Sequence, residues 1–134
     1  MLSDRLAAGV RSIRPFVPAN NFELSKRFYA DIGFEVVPLG ESMAEMRLGQ
    51  HSFLLQDYFV QQWAENFVMH MMVDDVEAWW VHIASLDLPG RYGVPRPRVP
   101  RLESWGLKVA YVFDPSGVLW HIAELPNRGK EMPG

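Results

Sequence analysis

One supersecondary pattern occurs twice in the chain, and this repeat limits the possible folds more than any other feature. In each copy an apolar strand leads through an amide or acidic helix cap into an amphipathic helix, over residues 20–34 and again over residues 73–80. In the first copy Asn20 or Asn21 is the expected cap, and Gly33 is the expected end of the helix. Two copies of a small unit of this kind can pair and enclose a cavity.

The spacing of apolar residues and turns predicts where the strands lie. In the first copy they are expected at residues 12–17, 34–39, 42–48 and 52–58, with the helix after the first. In the second copy they are expected at residues 67–73, 107–113 and 117–125, with a helix from Asp75 to about Leu86. Asp114-Pro115-Ser116-Gly117 is a strong turn signal before the last strand. A polar connector is expected over residues 61–66, and four prolines predict a long loop with at most a short edge strand over residues 88–104.

The chain is therefore predicted to have an α+β fold of two βαβββ modules. Module one covers about residues 12–59 and module two about residues 67–125, within a single domain that spans residues 1–134. A hydrophobic content of 49% with 22% charged residues is ordinary for a chain with a buried core.

The composition also excludes several classes of function. The chain has no cysteine, which excludes disulfides, thiolate nucleophiles and thiolate metal sites and favours a cytoplasmic location. The net charge of −3 argues against nucleic-acid binding. Charged residues at Asp4, Arg5 and Arg11 interrupt the first apolar stretch, and no long apolar run follows, so neither a signal peptide nor membrane binding is expected.

Three motifs, in this order, carry a resemblance to a known family. They are Phe28-Tyr29 with Gly33-Phe34, then Val73-Asp74-Asp75-Val76, then Asp114-Pro115-Ser116-Gly117. Together they make the chain similar, from about Ile13 to Leu125, to the glyoxalase, bleomycin-resistance and extradiol-dioxygenase superfamily, also called vicinal oxygen chelate. The resemblance implies that the two modules pair into an open curved sheet that encloses a cavity, and that a chain this short forms a homodimer. Members include metal enzymes and metal-free binding proteins, so the fold alone does not choose the function.

The resemblance implies four metal-ligand positions. In this chain they fall on Arg14, on Leu54 or Leu55, on Val68 and on His121. Arginine stays protonated, and leucine and valine have no lone pair to donate. Three of the four ligands are therefore absent, and we expect no metal and no other cofactor, as in the metal-free, bleomycin-resistance-like branch.

Residues two apart on a strand share a face, and this parity predicts the lining of the cavity. For Tyr111 the inward placement is implied by the resemblance, and Gln56 joins the lining if the third strand is in that register. The predicted ligand-binding residues are Arg14, Phe16, Val68, His70, Met72, Tyr111, Leu119 and His121. An apolar and aromatic pocket with a few polar tips is typical of a small-molecule site.

Several of these residues have more than one interpretation. His121 fits a structural, a ligand-binding or a metal role, and Arg14 fits an anion contact or a structural ion pair. Tyr111 fits a packed ring or a catalytic acid. Whichever of Trp79 and Trp80 is exposed is a candidate dimer contact. The basic residues of the proline-rich region fit either a solvated loop or a flap that favours an anionic ligand; they are Arg91, Arg96, Arg98, Arg101 and Lys108.

Two functional hypotheses follow. The favoured one is a metal-free homodimer that binds a small, partly apolar and anionic molecule. Bleomycin is a cation, so the drug itself fits this hypothesis poorly. The alternative is an enzyme, a lyase, isomerase or dioxygenase, with a remodelled metal site or acid–base chemistry around His70, Tyr111 and His121.

Overall fold

The computed structural model of the chain describes residues 4–125; residues 1–3 and 126–134, which the predicted domain includes, lie outside this range. The elements in chain order are α1 (Asp4–Ala8), β1 (Phe16–Pro18), α2 (Phe22–Ile32), β2 (Glu35–Pro38), β3 (Met43–Leu48), β4 (His51–Gln56), α3 (Gln61–Glu65), β5 (Val68–Met72), α4 (Val76–Ser85), α5 (Leu88–Tyr92), β6 (Arg98–Leu102), β7 (Lys108–Phe113) and β8 (Leu119–Glu124). Within residues 4–125, no helix combines the length and the apolar character needed to cross a bilayer.

The strands form two four-stranded sheets of the same topology. Sheet one has the order β1-β4-β3-β2, and sheet two has the order β5-β8-β7-β6. In each sheet the first strand pairs in parallel with the last, and the remaining pairs are antiparallel. This confirms the predicted α+β fold of two βαβββ units. The two sheets are separate within one chain, so β1 and β5 are edge strands.

The helix caps lie where the sequence predicts them. The Asn21 side chain accepts a hydrogen bond from the backbone N–H of Leu24 at 3.1 Å, and Asp75 accepts one from Ala78 at 3.0 Å. Gly33 ends α2 with φ 135°, a conformation that a residue without Cβ adopts at little cost. These caps fix the entry of both helices from the strands before them.

Three local predictions from the sequence were wrong. The first strand is shorter than residues 12–17 and begins at Phe16, because Pro15 has no N–H to donate and contributes only its carbonyl oxygen, to Leu54 N at 3.0 Å. The polar connector contains α3, and the proline-rich region contains α5 as well as β6. Proline interrupts a helix interior but is compatible with the first turn, where Pro89 lies after its cap, Asp87.

The helix-covered faces of the two sheets pack against each other and share one core. The ring centroids of Phe53 on β4 and Trp120 on β8 lie 5.4 Å apart, and Tyr29 on α2 contacts both rings. On α4, the His82 ring nitrogen lies 2.7 Å from the carbonyl oxygen of Ile32 at the end of α2. Because these faces turn towards each other, the opposite, outer faces of the sheets point away from each other.

A buried polar network joins the two units at this core. The Tyr29 hydroxyl donates to the Asp114 carboxylate at 2.6 Å, and Trp120 Nε1 donates to the Tyr29 oxygen at 2.9 Å. The other Asp114 oxygen accepts from the backbone N–H groups of Ser116 and Val118. Burial raises the pKa of Asp114, and burial with the nearby carboxylate raises the pKa of Tyr29. The turn motif in the sequence thus places a carboxylate that fixes sheet two to α2.

Candidate functional site

The outer face of sheet two carries most of the residues predicted to bind a ligand. His70 on β5 pairs with His121 on β8, which in turn pairs with Tyr111 on β7. Val68 and Met72 lie two residues to either side of His70, and they are 50% and 48% exposed. Leu119 lies on the same face, paired with Val68. Six of the eight predicted residues therefore share one open face.

The two histidines on this face form a direct contact. Their Nδ1 atoms lie 3.3 Å apart, and His70 Nε2 lies 3.2 Å from the Met72 sulfur. Burial and the neighbouring His70 lower the pKa of His121. This lowered pKa favours the neutral imidazole form of His121.

Trp105 covers one side of the histidine pair and was not among the residues predicted from the sequence. Its ring centroid lies 5.7 Å from that of His121 and 6.3 Å from that of His70. The tight turn between β6 and β7 holds it there, with Gly106 at φ 100°. The local signal was the Trp-Gly pair in a turn, but only the pairing of β6 with β7 brings this turn over the histidines.

Tyr111 extends the aromatic surface on the other side of His121, at a centroid distance of 5.1 Å. Its hydroxyl donates to the Glu103 carboxylate at 2.6 Å. Burial and this hydrogen bond raise the pKa of Tyr111. The hydroxyl is thus engaged and poorly suited to act as an acid. Beside its ring lies a groove of about 380 Å³ lined by Arg98, Val99, Arg101 and Tyr111.

The outer face of sheet one carries the other two predicted residues. Phe16, 44% exposed, pairs with Leu54. Arg14 donates to Glu45 at 2.9 Å, and Arg47 contacts the other oxygen of the same carboxylate at 2.9 Å. The hydrogen bond from Arg47, followed by that from Ser52, lowers the pKa of Glu45. The structure therefore shows Arg14 in the ion pair that was one of its two interpretations.

The structure also removes two ambiguities of register and exposure. Leu54 lies on the outer face, and Gln56 lies two residues further on the same strand, whereas Leu55 is fully buried in the core. Trp79 and Trp80 are both half-buried against the core. Neither tryptophan is the fully exposed dimer contact that the sequence suggested.

The eight predicted residues do not meet in one cavity within a single chain. Arg14 and Phe16 lie on the outer face of sheet one, and the other six lie on that of sheet two. These faces point away from each other, as the packing of the helix-covered faces requires. Within residues 4–125, no group of three or more His, Asp or Glu side chains is arranged to hold a metal ion.

A separate cleft of about 480 Å³ lies between the two units and was not predicted. It runs along the edge strand β5, and residues of both faces of this strand line it. Aromatic and methionine side chains form most of its wall, with His51 and His70 among its polar groups. Sequence reasoning missed it because the cleft depends on how the two units pack. Its main lining residues are Phe34, Phe53, Met69, Met71, Trp79 and Trp120.

Comparison with known proteins identifies the fold. A bleomycin resistance protein from Klebsiella pneumoniae is 24% identical over 115 residues, which cover 82% of this chain and 89% of that protein. The crystal structure of a bleomycin-binding protein complexed with bleomycin superposes with a TM-score of 0.73 at 22% identity and covers 86% of this chain and 98% of that one. A lactoylglutathione lyase from Agrobacterium tumefaciens superposes with a TM-score of 0.62 at 20% identity, covering 92% and 97%. No protein-family model matches the chain.

These similarities confirm the resemblance drawn from the three sequence motifs. The chain has the fold that these bleomycin-binding proteins and the lactoylglutathione lyase share. A drug-binding protein and a lyase both have this fold, so the function must be argued from the faces described above.

Proposed function

We propose that the protein is a homodimer that binds a small, partly apolar and anionic molecule without a metal ion. Each cavity would form between the outer face of sheet one in one copy and the outer face of sheet two in the other. The observation that carries this proposal is the back-to-back placement of the sheets, which leaves both sets of predicted ligand-binding residues open and far apart in one chain.

The apolar residues of these faces support association of two copies. Phe16, Val68 and Met72 are each about half exposed, at 44%, 50% and 48%. Exposed apolar surface of this kind commonly marks an interaction site. The edge strands β1 and β5 carry unpaired backbone groups that an approaching chain can cover. A two-fold dimer would bury both faces at once and create two equivalent cavities.

The charges on the faces support an anionic ligand. Sheet one contributes Arg14 and Arg47 with two carboxylates, Glu45 and Glu35, the second of which pairs with Arg47 across β2 and β3. Sheet two contributes Arg98 and Arg101 with one carboxylate, Glu103. A cavity built from both faces would therefore be positive and would attract anions by its field.

The ligand is expected to be aromatic or at least planar. Trp105, Tyr111 and the histidine pair form a continuous ring surface, on which a planar group can stack. The bleomycin-binding protein shows that this fold can hold a small molecule. The positive faces favour a ligand other than a cationic drug. The absence of cysteine is consistent with a proposed cytoplasmic location.

An enzyme is the second candidate, and one observation favours it. The lowered pKa of His121 leaves a neutral imidazole that could accept a proton from a bound substrate. The engaged hydroxyl of Tyr111 leaves this base without an evident acid partner on the same face. Binding is therefore the better supported function.

A pair of measurements tests the proposal. Analytical ultracentrifugation at micromolar concentration should give the mass of two chains. Naphthalene-2-carboxylate should raise the melting temperature more than naphthalene-2-methylamine, which has the same ring and the opposite charge. A mass of one chain, or equal stabilisation by the amine, would contradict the proposal.

A further inference from the structure

An irregularity in β6 brings two arginines to the same face of sheet two. Arg98 pairs with Tyr111 and Arg101 pairs with Val109, so three steps along β6 match two steps along β7. In a regular strand, residues three apart point to opposite faces. The β-bulge between them corrects this parity and aims both side chains over the outer face. Bulges often redirect a side chain at a functional site.

The two guanidinium groups converge on one groove. Arg98 lies over the Tyr111 ring, at 5.8 Å from the ring centroid. Both arginines line the groove of about 380 Å³ beside Tyr111, together with Val99. This groove adjoins the aromatic surface, since the Tyr111 and His121 ring centroids are 5.1 Å apart.

Within residues 4–125, these two arginines, like Arg27 and Arg96, lack the carboxylate partner that several other cations have. Arg14 and Arg47 hold Glu45, Arg91 holds Asp31, and Lys108 holds Glu77. In the part of the chain that the structure describes, no carboxylate lies within ion-pair distance of Arg98 or Arg101. The carboxylate that follows them in sequence, Glu103, accepts the Tyr111 hydroxyl.

We propose that Arg98 and Arg101 form the oxyanion subsite of the cavity, and that its ligand is an aromatic carboxylate or sulfonate. The proposal rests on the proposed small-molecule function and assigns the charged end of the ligand to sheet two, away from Arg14. The oxyanion accepts hydrogen bonds from the two guanidinium groups, and the ring packs beside Tyr111, His121 and Trp105. Guanidinium groups suit this task because their planar donors match two oxygens at once.

The backbone of β6 supports such a role. Pro97 directly precedes Arg98, and Pro100 lies between Arg98 and Arg101. Proline fixes φ and narrows the range of backbone conformations before binding. A pre-ordered strand loses less conformational freedom when it contacts a ligand, which favours affinity.

The test uses naphthalene-2-sulfonate as the probe, because its charge is constant over the working pH range. Its dissociation constant is measured by titration calorimetry with the full-length protein. We expect the double variant Arg98→Gln/Arg101→Gln to bind the probe about tenfold more weakly or worse, and each single variant several-fold more weakly. Replacement of both by lysine should restore part of the affinity, since lysine keeps the charge but lacks the paired donors.

Arg96→Gln is the matched control. Arg96 lies two residues before Arg98 but lines a different groove, with Trp80 and Asp87. This control should change the dissociation constant by less than about twofold, as expected for a charge outside the site. Melting curves of all variants check that each remains folded.

Three outcomes would overturn the proposal, and they can be told apart. If the wild-type protein binds the probe and the double variant binds it within twofold, the subsite is refuted and the proposed function stands. The same holds if Arg96→Gln or Arg14→Gln loses as much affinity as the double variant. If the wild-type protein does not bind the probe at millimolar concentration, both the subsite and the proposed anion-binding function are refuted.

Discussion

The outer faces of the two sheets carry the same kinds of charged group in different arrangements. On sheet one Glu45 lies between Arg14 and Arg47 and holds both. On sheet two the corresponding carboxylate, Glu103, accepts a tyrosine hydroxyl instead. Sheet one also carries Glu35 beside Arg47, so the count of charges already makes sheet two the more positive face. The hydrogen bonds decide which guanidinium groups can bind a ligand, and they favour sheet two.

The largest expected effect is on the free energy of unfolding, and it comes from disrupting the buried network that holds the two sheets back to back. Asp114 is 2% exposed and accepts hydrogen bonds from Tyr29, Ser116 and Val118. Asp114→Ala should lower the free energy of unfolding by about 3 kcal/mol, because it leaves several buried donors without an acceptor. Urea denaturation measures this loss.

Tyr29→Phe is the milder companion variant. It removes only the hydroxyl that joins Asp114 and Trp120, so we expect a loss of about 1 to 2 kcal/mol. A loss in Asp114→Ala no greater than that in Tyr29→Phe would show that the backbone hydrogen bonds of the turn contribute little.

A smaller effect, on the affinity for naphthalene-2-sulfonate, should follow from freeing the arginines of sheet one from their carboxylate, as Arg98 and Arg101 of sheet two are free of one within residues 4–125. Glu45→Gln would release Arg14 and Arg47 from their shared carboxylate and make that face more positive. We expect binding of naphthalene-2-sulfonate to tighten by about threefold, as for one added unit of favourable charge in a partly screened site. Calorimetry at low and high salt measures the change. Weaker binding in this variant would indicate that the ion pair itself positions the ligand.

The smallest expected effect is on the pH dependence of the free energy of unfolding, and it comes from His121 in the histidine pair of sheet two. Because the pKa of His121 is lowered in the folded protein, the unfolded chain binds more protons at acidic pH. Stability should therefore fall as the pH drops below the unfolded histidine value of about 6.5. His121→Gln should flatten this dependence between about pH 6.5 and 5. Urea denaturation of the wild type and of His121→Gln across this pH range measures the difference.

The fold could largely be predicted from the sequence because its signals are local. Asn21 and Asp75 are helix caps that can be recognised from residue type and position, since each accepts a hydrogen bond from the first turn of its helix. The turn at Asp114 can be recognised from its own four residues. Strand parity likewise placed His70 on the same face as Val68, and the resemblance placed His121 and Tyr111 there. The pairing of β5, β8 and β7 puts all of them on one face. These features depend on residues a few positions apart, where spacing is informative.

The arrangement of the site depends on contacts between distant residues and could not be predicted. The β6 bulge changes the parity of Arg101 relative to Arg98, and no local motif marks it. Trp105 reaches the histidines only because β6 pairs with β7. The back-to-back packing through Phe53, Tyr29 and Trp120 separates Arg14 from the histidines, although parity alone suggested one cavity.

Complementation between two defective variants tests most directly whether each cavity is shared by two copies. Leu54→Glu places a negative charge on sheet one, and His121→Glu places one on sheet two, so neither homodimer should bind naphthalene-2-sulfonate. In a mixed dimer, one cavity would combine the two intact faces and the other both altered faces. Random exchange of subunits should therefore restore about one quarter of the wild-type binding capacity. No restored binding, in a sample where native mass spectrometry detects mixed dimers, would contradict the shared cavity.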